Sequence, residues 1–229
     1  MFIFAAIVSG FAQTSAGMLF FGGGLGFGAS NSKTTSSRGG TTTTEDGPKS
    51  SQFSIVPGVG YFIADKLAVG LDLSFSTSSN KTPYDDGGIN SQPGDYDKTS
   101  GTVISFTPYV RQYLMLSDNF GFTGTFGVGV GFGSSKREGR RGSTTNTTGG
   151  PKTTTLEVGI TPGIVFFPTN KVGLETNFGF VGFSSITTKE EVQIINQTFT
   201  KKTTNSSFGF GANSIQPTFS LGFRYYLTK

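Results

Sequence analysis

Alternation constrains this chain more than any other feature. Apolar residues recur at every second position through eight segments of about 10 to 14 residues, and a period of two belongs to a strand with one apolar face. In the first segment, 18–29, Leu19, Phe21, Leu25 and Phe27 oppose Gly22, Gly24, Gly26 and Gly28. The others are 52–63, 67–76, 102–115, 120–133, 155–167, 172–186 and 214–227. The seventh carries Val172, Leu174, Phe178 and Phe180 on its apolar side. Segments of this length fit tilted strands that cross a bilayer.

The connections alternate in length: long at 30–51, 77–101, 134–154 and 187–207, short at 64–66, 116–119 and 168–171. This asymmetry fits a closed barrel in a bacterial outer membrane, with tight periplasmic turns, longer outer loops and both termini periplasmic. The segments IVPGV, FTPYV, ITPGI and IQPTF repeat on the even-numbered strands and place Pro57, Pro108, Pro162 and Pro217 at corresponding positions. Proline lacks the N–H that a ladder uses, so a bulge or kink is expected at each.

The absence of cysteine and histidine removes thiol nucleophiles, zinc–thiolate sites and the commonest general base. No catalytic residue, cofactor or metal site is assigned. Residues 1–13 are apolar and end in small residues, as in a truncated signal peptide, with an N-terminal strand as the alternative. Residues 14–229 are read as one barrel domain.

Within the eight segments the charged residues are Asp72, Arg111, Glu157, Glu175 and Arg224, all opposite the apolar series. A small barrel interior is filled by side chains, and glycine on the polar faces of strands one and five leaves room for Tyr109, Arg111, Tyr113, Arg224 and Tyr226. The expectation is polar inside and lipid outside. Counted from the short turns, Asp72, Arg111, Glu175 and Arg224 share one layer, and Asp72–Arg111 and Glu175–Arg224 are the expected structural ion pairs. Glu157 is a further interior charge. Tyr61, Tyr113, Phe166 and Tyr225 are expected to form an aromatic girdle.

The eightfold alternation, the repeated Ile/Phe-x-Pro segments and the ending SLGFRYYL resemble the outer-membrane protein β-barrel domain family, the small OmpA/OmpX-like barrels. The chain departs from the family's aromatic ending by closing on Leu227, Thr228 and Lys229. The resemblance implies an all-β, eight-stranded antiparallel up-and-down transmembrane β-barrel, monomeric, inserted by the barrel assembly machinery. The expected function is non-enzymatic: an envelope-structural or surface-interaction role, with at most a narrow pore. Lipid-modifying barrels use histidine, which this chain lacks.

Two alternatives stand beside that reading: a loop-mediated adhesin or ligand-capture protein, and a soluble secreted carrier of an apolar ligand. The segment KREGRR offers Lys136, Arg137, Arg140 and Arg141 to lipopolysaccharide phosphates, against the plainer reading of solvated charge. Asp85, Asp86, Asp95 and Asp97 offer carboxylates to a divalent cation, though without EF-hand spacing. The partners expected are outer-membrane lipid and lipopolysaccharide. No nucleic acid is expected, and the sequence specifies no partner for the loops.

Overall fold

The computed structural model describes residues 14–84, 92–177, 179–194, 197–210 and 220–227. Its strand segments are β1 (Leu19–Arg38), β2 (Thr41–Ala64), β3 (Leu67–Pro83), β4 (Tyr96–Met115) and β5 (Phe120–Arg141), followed by β6 (Thr144–Thr169), β7 (Val172–Asn177), β8 (Val181–Ile194), β9 (Gln197–Phe210) and β10 (Ser220–Leu227). From β1 to β6 each pairs antiparallel with its sequence neighbour. β6 then pairs with β7 near the short turns and with β8 above it. β10 joins β7 to β1, from Leu19↔Leu227 to Gly24↔Gly222. The result is an all-β antiparallel up-and-down ring of eight strands, in which β7 and β8 share one wall position and β9 and β10 the next.

The long connections are largely strand. β1 and β2 continue to a tip at Gly39 and Gly40, β5 and β6 to 142–143, and β8 and β9 stay paired as far as Ile194↔Gln197, so the described residues of 30–51, 134–154 and 187–207 form β-hairpins and not loops. Their composition explains this. Ser and Thr face one another across the strands and their hydroxyls bond in pairs: Ser30 with Ser50 at 2.7 Å, Thr35 with Thr44 at 3.2 Å and Thr187 with Thr204 at 3.1 Å. β-branched threonine favours extended backbone, and Thr–Thr pairs add to the ladder. Gly39 and Gly40 both have positive φ, 59° and 83°, as a two-residue hairpin turn with right-handed strand twist requires.

The expected seventh strand, 172–186, is interrupted between β7 and β8. Ile160 pairs with Val181 but Gly163 pairs with Asn177, so β7–β8 carries one extra residue opposite Pro162. Phe180 thereby leaves the apolar series expected for it and lines the lumen. The bulge expected at Pro162 is not on its own strand, which pairs in regular register with β5 through Pro162; the irregularity lies on the facing strand. Pro57 and Pro108 differ: the ladder skips them on one side, toward β3 and β5, and resumes in the same register. In an antiparallel strand a residue's N–H and C=O point to the same neighbour, so a proline loses one bond toward one neighbour and needs no bulge. Pro217 lies outside the described residues.

The faces follow from this register. Leu25, Phe27, Phe75, Phe106, Phe126 and Phe223 are among many exposed apolar side chains on the outer wall. Arg111, Glu175 and Arg224 are buried inside with Phe20, Phe62, Tyr113, Phe167 and Tyr226. An apolar exterior around a polar centre fits a lipid surroundings and excludes a carrier with an apolar cavity.

Candidate functional site

The interior is organised around Glu175 on β7. Arg111 on β4 donates from Nη1 to Glu175 Oε2 at 2.7 Å, and Arg224 on β10 donates from Nε to the same oxygen at 2.6 Å. The other oxygen, Oε1, has the hydroxyls of Tyr113 and Tyr226 at 3.3 Å, and these two hydroxyls are 3.3 Å apart. Arg111 Nε also donates to Thr125 Oγ1 at 2.8 Å, and Arg224 Nη1 to the Tyr109 hydroxyl at 3.3 Å. All three charged side chains are almost fully buried, at 3%, 4% and 7% exposure. Buried charges are tolerable only when paired and hydrogen-bonded, and both carboxylate oxygens meet that condition here.

Below this layer, toward the short turns, an aromatic floor closes the barrel. Phe20 packs on Phe62 and Tyr226 with ring centroids 5.4 and 5.3 Å apart, and Phe167 meets Tyr226 at 5.2 Å. Ala68, Val165 and Met18 complete the cluster. The stretch ahead of β1 seals the same end, with Gly17 N donating to Phe62 O at 2.8 Å and Lys66 N to Thr14 O at 2.7 Å. The room for these large groups comes chiefly from β2 and β3. A Cβ at Gly58 would strike the Asp72 carboxylate, one at Gly60 the ring of Phe20, and one at Gly70 the ring of Tyr109. The glycines of strand five serve another purpose: Gly127 and Gly129 line a cavity above the ion layer.

That cavity measures about 190 Å³ and includes Asp72, Tyr109, Arg111, Glu157 and Phe180 in its wall. Higher up, the β3–β4 connection is strapped to the tip of the β5–β6 hairpin. Arg141 Nη2 bonds Asp97 Oδ1 at 2.8 Å while its guanidinium lies 3.4 Å over the Tyr84 ring. Asp95 accepts backbone N–H bonds from Gln92 at 3.0 Å and Gly142 at 2.6 Å. The Gln92 amide foremost, then the Gly142 amide and the Arg141 charge, hold the Asp95 carboxyl below its ordinary range against the opposing effect of desolvation.

Several residues fall differently from their expected places. Arg111 pairs with Glu175 and not with Asp72, because β4 and β7 converge across the lumen although they are not neighbours in the wall. Asp72 lines the cavity wall together with Arg111, with no ion pair of its own among the described residues. Glu175 and Arg224 are in contact. Glu157 faces the lumen but is exposed, since the barrel is open above the ion layer. Tyr113 belongs to the floor and not to an outer girdle, whereas Tyr61 and Phe166 are exposed outside.

Within KREGRR, Arg137 bonds Glu190 at 2.7 Å and Arg141 bonds Asp97, which leaves Lys136 and Arg140 exposed on the outer face. Asp85 and Asp86 lie outside the described residues, and the carboxylates of Asp95 and Asp97 are engaged as above. Among the described residues, no group of three acidic side chains is arranged to hold a metal ion.

A family model described as outer membrane protein beta-barrel domain matches residues 11–188. The chain belongs to this family. Among solved structures, this outer-membrane barrel is similar to the outer membrane protein OprG from Pseudomonas aeruginosa, at 13% identity and a TM-score of 0.51, over 95% of this chain and 99% of that one. Neisserial surface protein A matches at 12% identity and a TM-score of 0.33, over 93% and 98% of the two chains. No curated protein is a significant match. The likeness to OprG is one of fold, and the family places this barrel in the bacterial outer membrane.

Proposed function

We propose that this barrel is a non-enzymatic, non-conducting envelope protein that displays its extended hairpins as an interaction surface, with both termini in the periplasm. One observation carries the reading: the lumen is blocked by two stacked layers, the Glu175–Arg111–Arg224 cluster and the aromatic floor of Phe20, Phe62, Phe167 and Tyr226. A conducting path would have to break bonds to buried charges, and an unpaired buried charge costs several kcal/mol. The lipid-facing wall makes outer-membrane lipid its surroundings, and β10, with the sequence SLGFRYYL, is the element offered to the barrel assembly machinery. In this reading the barrel works as a monomer.

The test is electrical. The refolded full chain, shown to be folded by faster gel migration without boiling, is added to planar lipid bilayers. No stepwise conductance is expected at potentials that leave the membrane intact. Reproducible ohmic steps from the unmodified protein would overturn the closed-lumen reading in favour of a pore.

A further inference from the structure

The hairpin extensions reveal a pattern on the outer wall. Lys49, Lys81 and Lys98 are successive register partners across β2, β3 and β4, and Lys152, Lys189 and Lys202 are successive partners across β6, β8 and β9. Directly paired residues project from the same face of a sheet, and each triad continues the outward apolar series of its strands. Lys33 on β1 and Lys136 on β5 fall on the same outer face. Every wall position of the ring therefore carries one outward lysine. The last outward apolar side chain, such as Phe53, Leu156 or Phe208, lies four or six residues nearer the short turns, separated from the lysine mostly by Ser and Thr.

Like charges placed directly opposite one another weaken strand pairing, so two rows of three lysines call for anions. The protein supplies few. Asp46 takes Lys49 at 2.7 Å and Lys33 at 3.8 Å, and Lys81 lies 3.8 Å over the Tyr96 ring. Glu138, opposite Lys98 in the ladder, accepts from the Tyr96 hydroxyl at 2.6 Å, and Glu191 lies two residues from Lys189 on the same face of β8. Among the described residues, Lys98, Lys136, Lys152, Lys189 and Lys202 make no ion pair. At about 3.3 Å per residue and a tilt of about 40°, four to six residues place the lysines about 10–15 Å above the apolar band. A lysine stem bends back along the wall, which brings the ammonium groups down to the headgroup layer, about 5–8 Å thick on each side of the hydrocarbon.

We propose that this lysine ring binds the phosphates of outer-leaflet lipid of the lipid A type, with the apolar band below it receiving the acyl chains. The proposal rests on the membrane position of the barrel alone and not on the closed lumen, so a conductance result leaves it untouched. An ammonium near an anionic lipid surface contributes about 1 kcal/mol, a factor of about five in affinity per lysine.

The test uses the full chain in neutral detergent, with the temperature at which the fast-migrating folded band disappears as readout. Bisphosphorylated lipid A, the same lipid without phosphates, and inorganic phosphate are titrated separately. Lys152→Gln/Lys189→Gln/Lys202→Gln is compared with the wild type and with Lys171→Gln at the opposite rim. The expected result is stabilisation by bisphosphorylated lipid A alone, with apparent affinity about a hundredfold weaker in the triple variant and unchanged in Lys171→Gln. Without lipid, the triple variant should be at least as stable as the wild type, because it removes like-charge opposition. Equal response to both lipids, an equal response to inorganic phosphate, or equal affinity of the triple variant would overturn the proposal. If the triple variant does not fold, Lys189→Gln alone is read the same way, with a loss of about fivefold.

Discussion

Glu175 is the residue on which the interior turns. It neutralises two arginines from strands on opposite sides of the lumen, so its removal leaves both guanidinium groups buried without a carboxylate partner in contact. Glu175→Ala should destabilise the folded barrel by about 3–5 kcal/mol, measured by urea unfolding in detergent; a change within about 0.5 kcal/mol would show that Asp72 and solvent replace it. At the mouth, Asp95 ionises more readily in the folded chain than its ordinary value of 3.8 implies. Its contribution to docking the β3–β4 connection is therefore complete above that value and is lost as pH falls through the depressed folded value. In an NMR acid titration the Gly142 amide should shift with a midpoint below 3.8, and Asp95→Asn should abolish the shift. A midpoint at or above the ordinary value would contradict this. Counting from turns put the interior charges at one level, but the pairing of Arg111 with Glu175 depends on how the ring closes around the lumen, which a linear count does not contain.

Among the elements, the apolar halves of the strands were legible because lipid imposes a strict period of two. Their outer halves were not. There both faces are polar, Ser and Thr alternate with one another, and a half-strand with no apolar face reads as a loop. The tip of the β1–β2 hairpin makes the difference testable. Gly39 and Gly40 both sit at positive φ, where a Cβ costs about 1–2 kcal/mol per residue. Gly39→Ala/Gly40→Ala should expose 30–51 to limited proteolysis at least tenfold faster while the unboiled gel shift persists. An unchanged cleavage rate would mean that the hairpin does not depend on its turn. Strand seven is the complementary case: its composition reads as continuous, yet Pro162 across the ladder and the inward turn of Phe180 split it in two.

On the scale of the whole molecule, closure of the ring was foreseeable from an even strand count and asymmetric connections, while its height was not. β6 has 26 residues, which at about 3.3 Å each and a tilt of about 40° gives roughly 65 Å along the barrel axis, against an apolar band of about 25 Å. Much of the wall stands clear of the bilayer core. The ring itself is completed among the described residues by six register pairs between β1 and β10, from Leu19↔Leu227 to Gly24↔Gly222. Those partners are about two hundred residues apart in the chain, and contacts of that sequence separation form slowly because the intervening chain must be ordered first. Biogenesis of this barrel is thus governed by its slowest zipper: seven of the eight seams between wall positions can form first, but the cylinder has no inside until its first and last strands meet.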